Sequence, residues 1–395
     1  MRLYVFSRVL PCHGVGGMEL IAWMTSIGLA RRGHEVAVFT TETADGQRCN
    51  VPESLQQRLG VHYLPSSRPG RYSRHWWVAT QDAFRREASK CPPDAVLSVS
   101  VGARAVLDVC SRIPVVMQAH GTSLGEIRTK LRSRNNLARL TAGRNLLSLA
   151  RDLVFYSKIS GIVAVGHNVA ADLTGTFLRR FVNLDQLITI SNGIDTEQFA
   201  PCEAQRRATR SELSLSESAP MFLCASRLHR EKGIHLAIDA FADLDQLDSS
   251  LVIVGDGPQR SDLERLARAR DVEQRVHFVG AVAHEQVARW LNAADVFVFT
   301  TLRDEGAPLN VLEALSVGLP VVVSESVGRR FPPLRSVFLV NPDNRQAVSG
   351  CMQLALRAPG DGRDFVVREH SLDRMCVLYE SFIYRIVGMV ESESG

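Results

Sequence analysis

The chain has 395 residues, 45% of them hydrophobic and 22% charged, which suits a soluble protein with room for two domains of ordinary size. A formal net charge of +4, with no dense Lys/Arg tract, argues against nucleic-acid binding. Eight scattered cysteines with no Cys-x-x-Cys pair argue against a disulfide framework or a zinc site, and fit reduced thiols in a cytosol, most of them small core residues.

The opening MRLYVFSRVLPCHG reads as a first strand, because its apolar run is too short for a signal peptide. No stretch reaches 18 uninterrupted apolar residues, so no membrane-spanning helix is expected. Further strand-like runs follow as EVAVFT, AVLSVS, VVMQAH and GIVAVG, with helical stretches such as MELIAWMTSIGLARRGH between them. The second half repeats the grammar with MFLCAS, SLVIVG, VHFVG, VFVFTT and PVVVS, and with helices such as PQRSDLERLARARD. Continuous apolar runs belong to strands buried on both faces, so the sheets should be parallel and covered by helices. The sequence therefore predicts an α/β protein of two consecutive doubly wound domains, 1–190 and 191–368, joined at ITISNGIDTEQFAPCEA. A last amphipathic stretch, within 369–395, is expected to pack back on the first domain.

Ligands of doubly wound sheets bind beyond the carboxyl ends of strands, where loops meet helix N-termini. The loop HGVGGME follows strand one, and Gly14, Gly16 and Gly17 allow close backbone approach to a ligand. Position 19 is Glu where a dinucleotide fingerprint has Gly, which disfavours a nicotinamide-dependent dehydrogenase; a plain tight turn is the other reading. In QAHGTS, His120 ends another strand of the first domain. In ASRLHREKG, Arg227 and Lys232 share one strand-to-helix loop closed by Gly233, and two fixed cations there suit a diphosphate. Asp256 in VGDGP and the pair in DLD lack the partners of a metal site and read as structural.

The stretch DEGAPLNVLEA holds Glu305 and Glu313 around Pro308, which is favoured at a first helical position. Glu305, Gly306 and Ala307 then form the loop before the helix, and the free N–H groups near Leu309 and Asn310 face an anion. Glu313 would sit about 7.5 Å further along the axis, toward the other side of the ligand. Two acceptors flanking an anion site suit a nucleotide sugar, with hydroxyls at both ends and phosphate in the middle.

With GGME, His120-Gly121, SNGID, SRLHREKG, VGDGP and DEGAPLNVLEALSVGLPVVVS in this order, the chain resembles the retaining glycosyltransferases of family four, with the GT-B fold. The likeness spans nearly the whole chain and includes the family's E-x7-E motif. It implies two Rossmann-like domains facing a cleft, with the C-terminal helix returning to the first. It also implies that Glu305 binds hydroxyls of the transferred sugar and Glu313 the ribose. Arg227 and Lys232 would hold the diphosphate with backbone N–H groups of Gly17, Leu309 and Asn310, and His120 would lie near the reacting carbon. Transfer would proceed by metal-independent front-face substitution, the cations stabilising the leaving group. Pro308, Gly166 and the pair Thr300-Thr301 depart from the common pattern without removing a charged anchor.

The expected partners are a nucleotide sugar, uridine ahead of guanosine as its base, and a glycan or polyprenyl- or lipid-linked acceptor in polysaccharide, lipopolysaccharide or glycolipid biosynthesis. Residues 125–160 interleave Arg128, Lys130, Arg132, Arg134, Arg139, Arg144, Arg151 and Lys158 with Leu131, Leu137, Leu140, Leu146, Leu147, Leu149 and Phe155. With Arg68, Arg71, Arg74, Trp76 and Trp77 this basic segment could lie on an anionic membrane, making the protein cytoplasmic and peripheral at the inner face. The alternative is a solvated face whose leucines serve the domain's own core. Competing functions are another GT-B enzyme, such as a nucleotide-sugar epimerase or a disaccharide-phosphate synthase, and a non-catalytic nucleotide-sugar binder.

Overall fold

The computed structural model describes residues 1–395 other than 15, 44–45, 66, 68–71, 111, 133–143, 245–247, 304, 306–307 and 395. The chain divides into two units, Met1–Asn192 with Leu372–Gly395, and Gly193–Ser371. These divisions fall at 192/193 and 371/372, a few residues beyond the sequence-based boundaries at 190/191 and 368/369.

The first unit is built on seven strands: β1 (Arg2–Phe6), β2 (Glu35–Thr41), β3 (Leu59–Leu64), β4 (Ala95–Val99), β5 (Val115–Ala119), β6 (Gly161–Ala164) and β7 (Leu187–Thr189). They pair in the order β3-β2-β1-β4-β5-β6-β7, parallel throughout. The second unit has six, β8 (Met221–Ala225), β9 (Ser250–Val254), β10 (Val276–Gly280), β11 (Val296–Phe299), β12 (Val321–Ser324) and β13 (Val337–Val340). Their order is β10-β9-β8-β11-β12-β13, again all parallel. Both units are thus Rossmann-like parallel sheets, and β4, β5, β8, β9, β11 and β12 are buried along their whole length. In each sheet the winding reverses beside the unit's first strand, between β1 and β4 and between β8 and β11. That reversal opens a crevice beyond the carboxyl ends of those strands.

The helix Leu372–Ser394 completes the core of the first unit. Leu372, Met375, Cys376, Tyr379, Phe382, Ile383 and Ile386 pack with β1, β2 and β4 side chains in one buried cluster. The approach is close enough to need glycine at two places. A Cβ on Gly28 would lie 2.2 Å from Cys376 Sγ, and one on Gly161 would lie 2.9 Å from the Phe382 ring. Charged groups then fix the register of the helix. The Arg32 guanidinium donates to Glu380 at 2.6 and 3.0 Å and to Asp373 at 3.1 Å, and His34 Nε2 lies 2.8 Å from Glu380 Oε1.

The proposed interfacial patch finds no support in this unit. Trp76 is fully buried, and its indole N–H donates to Gly102 O at 3.0 Å. Phe155 is buried too, and Leu149 and Leu153 pack against the same core, so these three apolar residues of the segment serve their own domain. Trp77 is half-buried and stacks on Tyr72 with centroids 5.1 Å apart. Arg68, Arg71, Arg134, Arg139, Leu137 and Leu140 lie outside the described residues, as do the side chains of Lys130, Leu131, Arg132, Arg144, Leu146 and Leu147. Among the described residues no helix is long and apolar enough to cross a membrane.

Gly28→Ala is expected to lower the stability of the first unit. Helix propensity alone would favour the change by up to about 1 kcal/mol. Overpacking against the buried Cys376 sulfur costs about 1–3 kcal/mol and wins. Chemical denaturation of the single variants and of Gly28→Ala/Cys376→Ala checks this, because removing the sulfur should return much of the loss. Additive losses would show that the two residues do not share this contact.

Candidate functional site

In the second unit, the loop after β8 and the loop after β11 meet at the reversal of the sheet. Gly233 makes the meeting possible. It adopts a left-handed φ of 69°, and a Cβ there would sit 1.8 Å from Thr300 O. The Thr300 hydroxyl donates to Gly233 O at 2.9 Å, and Leu302 N donates to Glu231 O at 2.8 Å, so the two loops are stitched along their backbones.

This stitching brings Lys232 and Glu305 together. Lys232 Nζ donates to Glu305 Oε1 at 2.8 Å, with 13% and 19% of the two side chains exposed. The ammonium also lies 5.5 Å from the centre of the Phe299 ring. The Thr301 hydroxyl is 3.1 Å from the same Glu305 oxygen and 3.2 Å from Glu231 O, and donates to one or the other. Arg227 is exposed on the loop it shares with Lys232, and no described side chain pairs with it.

Pro308 is the N-cap of the helix Leu309–Ser316 and not its first helical residue, one position off the sequence reading. Its φ of −69° still suits entry into the helix. The N–H groups of Leu309 and Asn310 have no hydrogen-bond acceptor among the described residues, as expected for a first turn. Asn310 ties this turn to the sheet by donating its side-chain amide to Ala225 O, at the end of β8, at 2.9 Å. Gly306 lies outside the described residues.

Glu313 has a partner that the sequence did not reveal. Only 4% of its side chain is exposed, and Oε1 accepts from His284 Nε2 at 2.7 Å. His284 opens the helix His284–Ala293, and its ring lies 5.3 Å from that of Phe199. Burial alone would lower the His284 pKa, but the hydrogen bond and charge of Glu313 outweigh it, and the pKa sits above the ordinary value. Twenty-nine positions separate the two residues, so no local motif signals the pair.

In the first unit, Gly16 caps the helix Gly17–Arg31, and a Cβ on it would lie 2.2 Å from Glu19 Oε2. The carboxylate of Glu19 therefore already lies against that turn, while the space beside Gly17 is open. His120 follows β5 and is held by a relay that begins on the C-terminal helix. Gln118 donates its amide to the Tyr379 hydroxyl at 2.7 Å and to Thr25 Oγ1 at 3.2 Å, which turns its carbonyl toward His120 Nε2 at 3.0 Å. His120 Nε2 thus carries the proton. Burial pushes the imidazole pKa down to about 4, so the ring is neutral at physiological pH.

Of the expected site residues, the second unit joins Lys232 to Glu305 directly and places Arg227, Leu309 and Asn310 on the two loops and the helix turn around that pair. Glu313 is on the same helix but faces His284. Gly16, Gly17 and His120 belong to the first unit. Sequence reasoning missed His284 and the Tyr379–Gln118 relay, long-range partners of residues it had named, and it named Thr301 without its contact to Glu305 four positions on. Asp256 accepts from its own neighbour, Gly257 N, at 2.7 Å. Among the described residues no three His, Cys, Asp or Glu side chains gather as metal ligands would.

Residues 15–198 match the sequence model described as Glycosyltransferase Family 4, and residues 205–331 match Glycosyl transferases group 1. A GDP-mannose-dependent monoacylated alpha-(1-6)-phosphatidylinositol monomannoside mannosyltransferase of Corynebacterium glutamicum is 34% identical over 148 residues, 35% of this chain and 38% of that one. An alpha-monoglucosyldiacylglycerol synthase of Streptococcus pneumoniae is 32% identical over 138 residues, 34% of this chain and 31% of that one. The chain thus spans well under half the length of these curated relatives. The solved structure of sucrose-phosphate synthase from Thermosynechococcus elongatus shares the fold, with a TM-score of 0.78 over 98% of this chain and 99% of that one at 20% identity. The two sequence models together match most of the chain, which belongs to the family-four glycosyltransferases and has their two-domain GT-B fold.

Proposed function

We propose that the chain transfers a sugar from a nucleoside-diphosphate-sugar donor to a glycan or lipid-linked acceptor, with retention of anomeric configuration. The observation that carries this reading is the cation set at the reversal of the second sheet. Among the described residues nothing pairs with Arg227, on the loop that also presents Lys232, and nothing accepts from the N–H groups of Leu309 and Asn310, which begin the neighbouring helix. Such a set binds a diphosphate and meets the charge it gains as a leaving group.

In this reading the bond from the anomeric carbon to the diphosphate oxygen breaks, and its electron pair leaves with the phosphate. The acceptor hydroxyl adds on the same face while its proton passes to that departing oxygen. Glu305, already fixed by Lys232 and Thr301, accepts hydrogen bonds from the sugar hydroxyls. Glu313, oriented by His284, is assigned to the ribose. Gly17 and His120 of the first unit are assigned to the donor by their motifs. The names of the two relatives, one acting on a phosphatidylinositol mannoside and one making a glucosyldiacylglycerol, favour a lipid-linked acceptor, which would bring the chain to the inner face of a membrane. The mannosyltransferase is named for GDP-mannose, so guanosine joins uridine as a base to be tested.

The test is a panel of UDP- and GDP-sugars offered with a glycan and a lipid-linked acceptor, following the nucleoside diphosphate released. One donor should stand out, and release should continue in chelator because the chain's own cations meet the leaving-group charge. Binding without release from any donor would leave a nucleotide-sugar binder. Dependence on added magnesium or manganese would overturn the metal-independent mechanism.

Arg227→Ala is expected to lower kcat/KM by at least about tenfold, roughly 1.4 kcal/mol of transition-state stabilisation. Its side chain is exposed, with no partner among the described residues, so the fold should tolerate the change, and near-normal turnover would remove it from the site. Glu305→Ala should cut transfer strongly while calorimetry still detects nucleoside diphosphate, because Glu305 is assigned to the sugar.

Glu313→Ala and His284→Ala should each weaken nucleoside diphosphate binding, and the double variant should lose little more than either alone. Additive losses would separate His284 from the ribose contact. The pair also carries a pH signature. The raised His284 pKa means that its stabilisation is fully present below the unfolded value of about 6.5 and is lost as pH rises through the higher folded value. The melting temperature of wild type relative to His284→Gln should fall across that window.

A further inference from the structure

Two of the eight cysteines are not scattered in space. Cys12, on the turn Pro11–His13, and Cys49, in the segment after β2, have their sulfur atoms 2.9 Å apart although 37 positions separate them in sequence. Both are partly exposed free thiols. Polar groups surround them. The Tyr63 hydroxyl accepts from Cys49 N at 2.7 Å and lies 3.9 Å from Cys12 Sγ. His13 Nδ1 is 3.5 Å from Cys12 Sγ, and the Arg48 guanidinium stacks 4.1 Å from the centre of the Tyr63 ring.

The two thiols have different characters. The S–H of Cys49 donates to Cys12, and this hydrogen bond, with help from His13, draws the Cys12 pKa down to about 5 against the effect of burial. The same contact and burial push Cys49 up. The shared hydrogen bond thus favours the thiolate on Cys12 and the protonated thiol on Cys49, the division of labour of an attacking and a resolving thiol.

We infer that Cys12 and Cys49 form a modification site, closing reversibly to a disulfide by exchange with small disulfides of the oxidised-glutathione class. The Cys12 thiolate attacks one sulfur of the small disulfide and expels a thiolate, leaving a mixed disulfide on Cys12. Cys49 passes its proton to the expelled thiolate, attacks Cys12 Sγ and expels the second half, which takes up a proton from solvent. The two thiols are oxidised by two electrons and the small disulfide is reduced to two thiols, so the step balances. The bond ties the turn that precedes Gly14 to residue 49, and the other six cysteines have no part in it.

The experiment uses the full chain, fully reduced and freed of reductant, then incubated with oxidised glutathione. Acid quenching, alkylation of remaining thiols, and non-reducing digestion with mass spectrometry give the state of every cysteine. The expected product is one cross-linked peptide joining Cys12 to Cys49, with the other six alkylated and all eight recovered after dithiothreitol. In a brief pulse of iodoacetamide, Cys12 should react at least about tenfold faster than the exposed Cys91. Cys49→Ser should trap a stable glutathione adduct on Cys12, and Cys12→Ser should leave Cys49 unmodified over the same interval. A wild-type chain that keeps the adduct on Cys12 without closing, or that is modified at Cys91 while Cys12 remains a thiol, would overturn the inference. The wild-type result decides the matter even where a serine variant folds poorly.

Discussion

The candidate site of the second unit depends on one close approach of backbone to backbone. At Gly233 the chain turns left-handed directly over the carbonyl of Thr300, with no room for a Cβ. Gly255 serves the neighbouring strand in the same way, where a Cβ would lie 2.0 Å from Ser226 O. Any larger side chain would force the loops after β8, β9 and β11 apart. Lys232 precedes Gly233, and Glu305 follows Thr300 and Thr301 by a few residues, so separating the loops would also separate the ion pair. The chemistry of the site is thus set by a steric condition on the backbone and only then by the charged side chains.

The Lys232–Glu305 pair is itself informative about how such a site is held ready. Both groups are mostly withdrawn from water, and removal of one partner would leave the other poorly solvated, a loss of several kcal/mol in buried pairs. Here the environment is partly open, which moderates that cost. A ligand carrying negative charge next to Lys232 and hydroxyl donors next to Glu305 would engage each group on its free side without breaking the pair. Arg227 has no such partner among the described residues, and its side chain is exposed. The paired lysine keeps the geometry, and the arginine is a cation that no described side chain compensates.

Much of the fold was legible because buried parallel strands announce themselves as unbroken apolar runs. The runs RLYVF, AVLSVS, MFLCAS, SLVIVG and VFVFTT each became a strand. The strands that the sequence reading did not name, β3, β7 and β13, lie at sheet edges. LGVHYL carries Gly60 and His62 and is half-exposed, and VFLV has an exposed Leu339, so neither needs a continuous apolar face. At the site the same division holds. Arg227, Lys232, Glu305 and the Pro308 helix entry were readable because they are local to strand ends. The pairing of Glu313 with His284, the Gln118 relay to Tyr379 and the contact of Cys12 with Cys49 were not, because each joins elements distant in sequence. Periodicity and turn chemistry carry no information about such pairs.

The last twenty-odd residues bear on how the molecule is made. Leu372–Gly395 belongs to the first unit, yet it is synthesised after the whole of the second. Until then the surfaces around Gly28 and Gly161 have no covering helix, and Gln118 lacks the Tyr379 hydroxyl that turns its carbonyl toward His120. The second unit, by contrast, is one continuous stretch whose entry and exit lie together, with Ile194 N donating to His370 O at 2.9 Å. Domains fold as units during synthesis, generally from the N-terminus. In this chain the continuous unit can close first, and the unit that begins the chain is completed last. The orientation of His120 then depends on the final helix having docked.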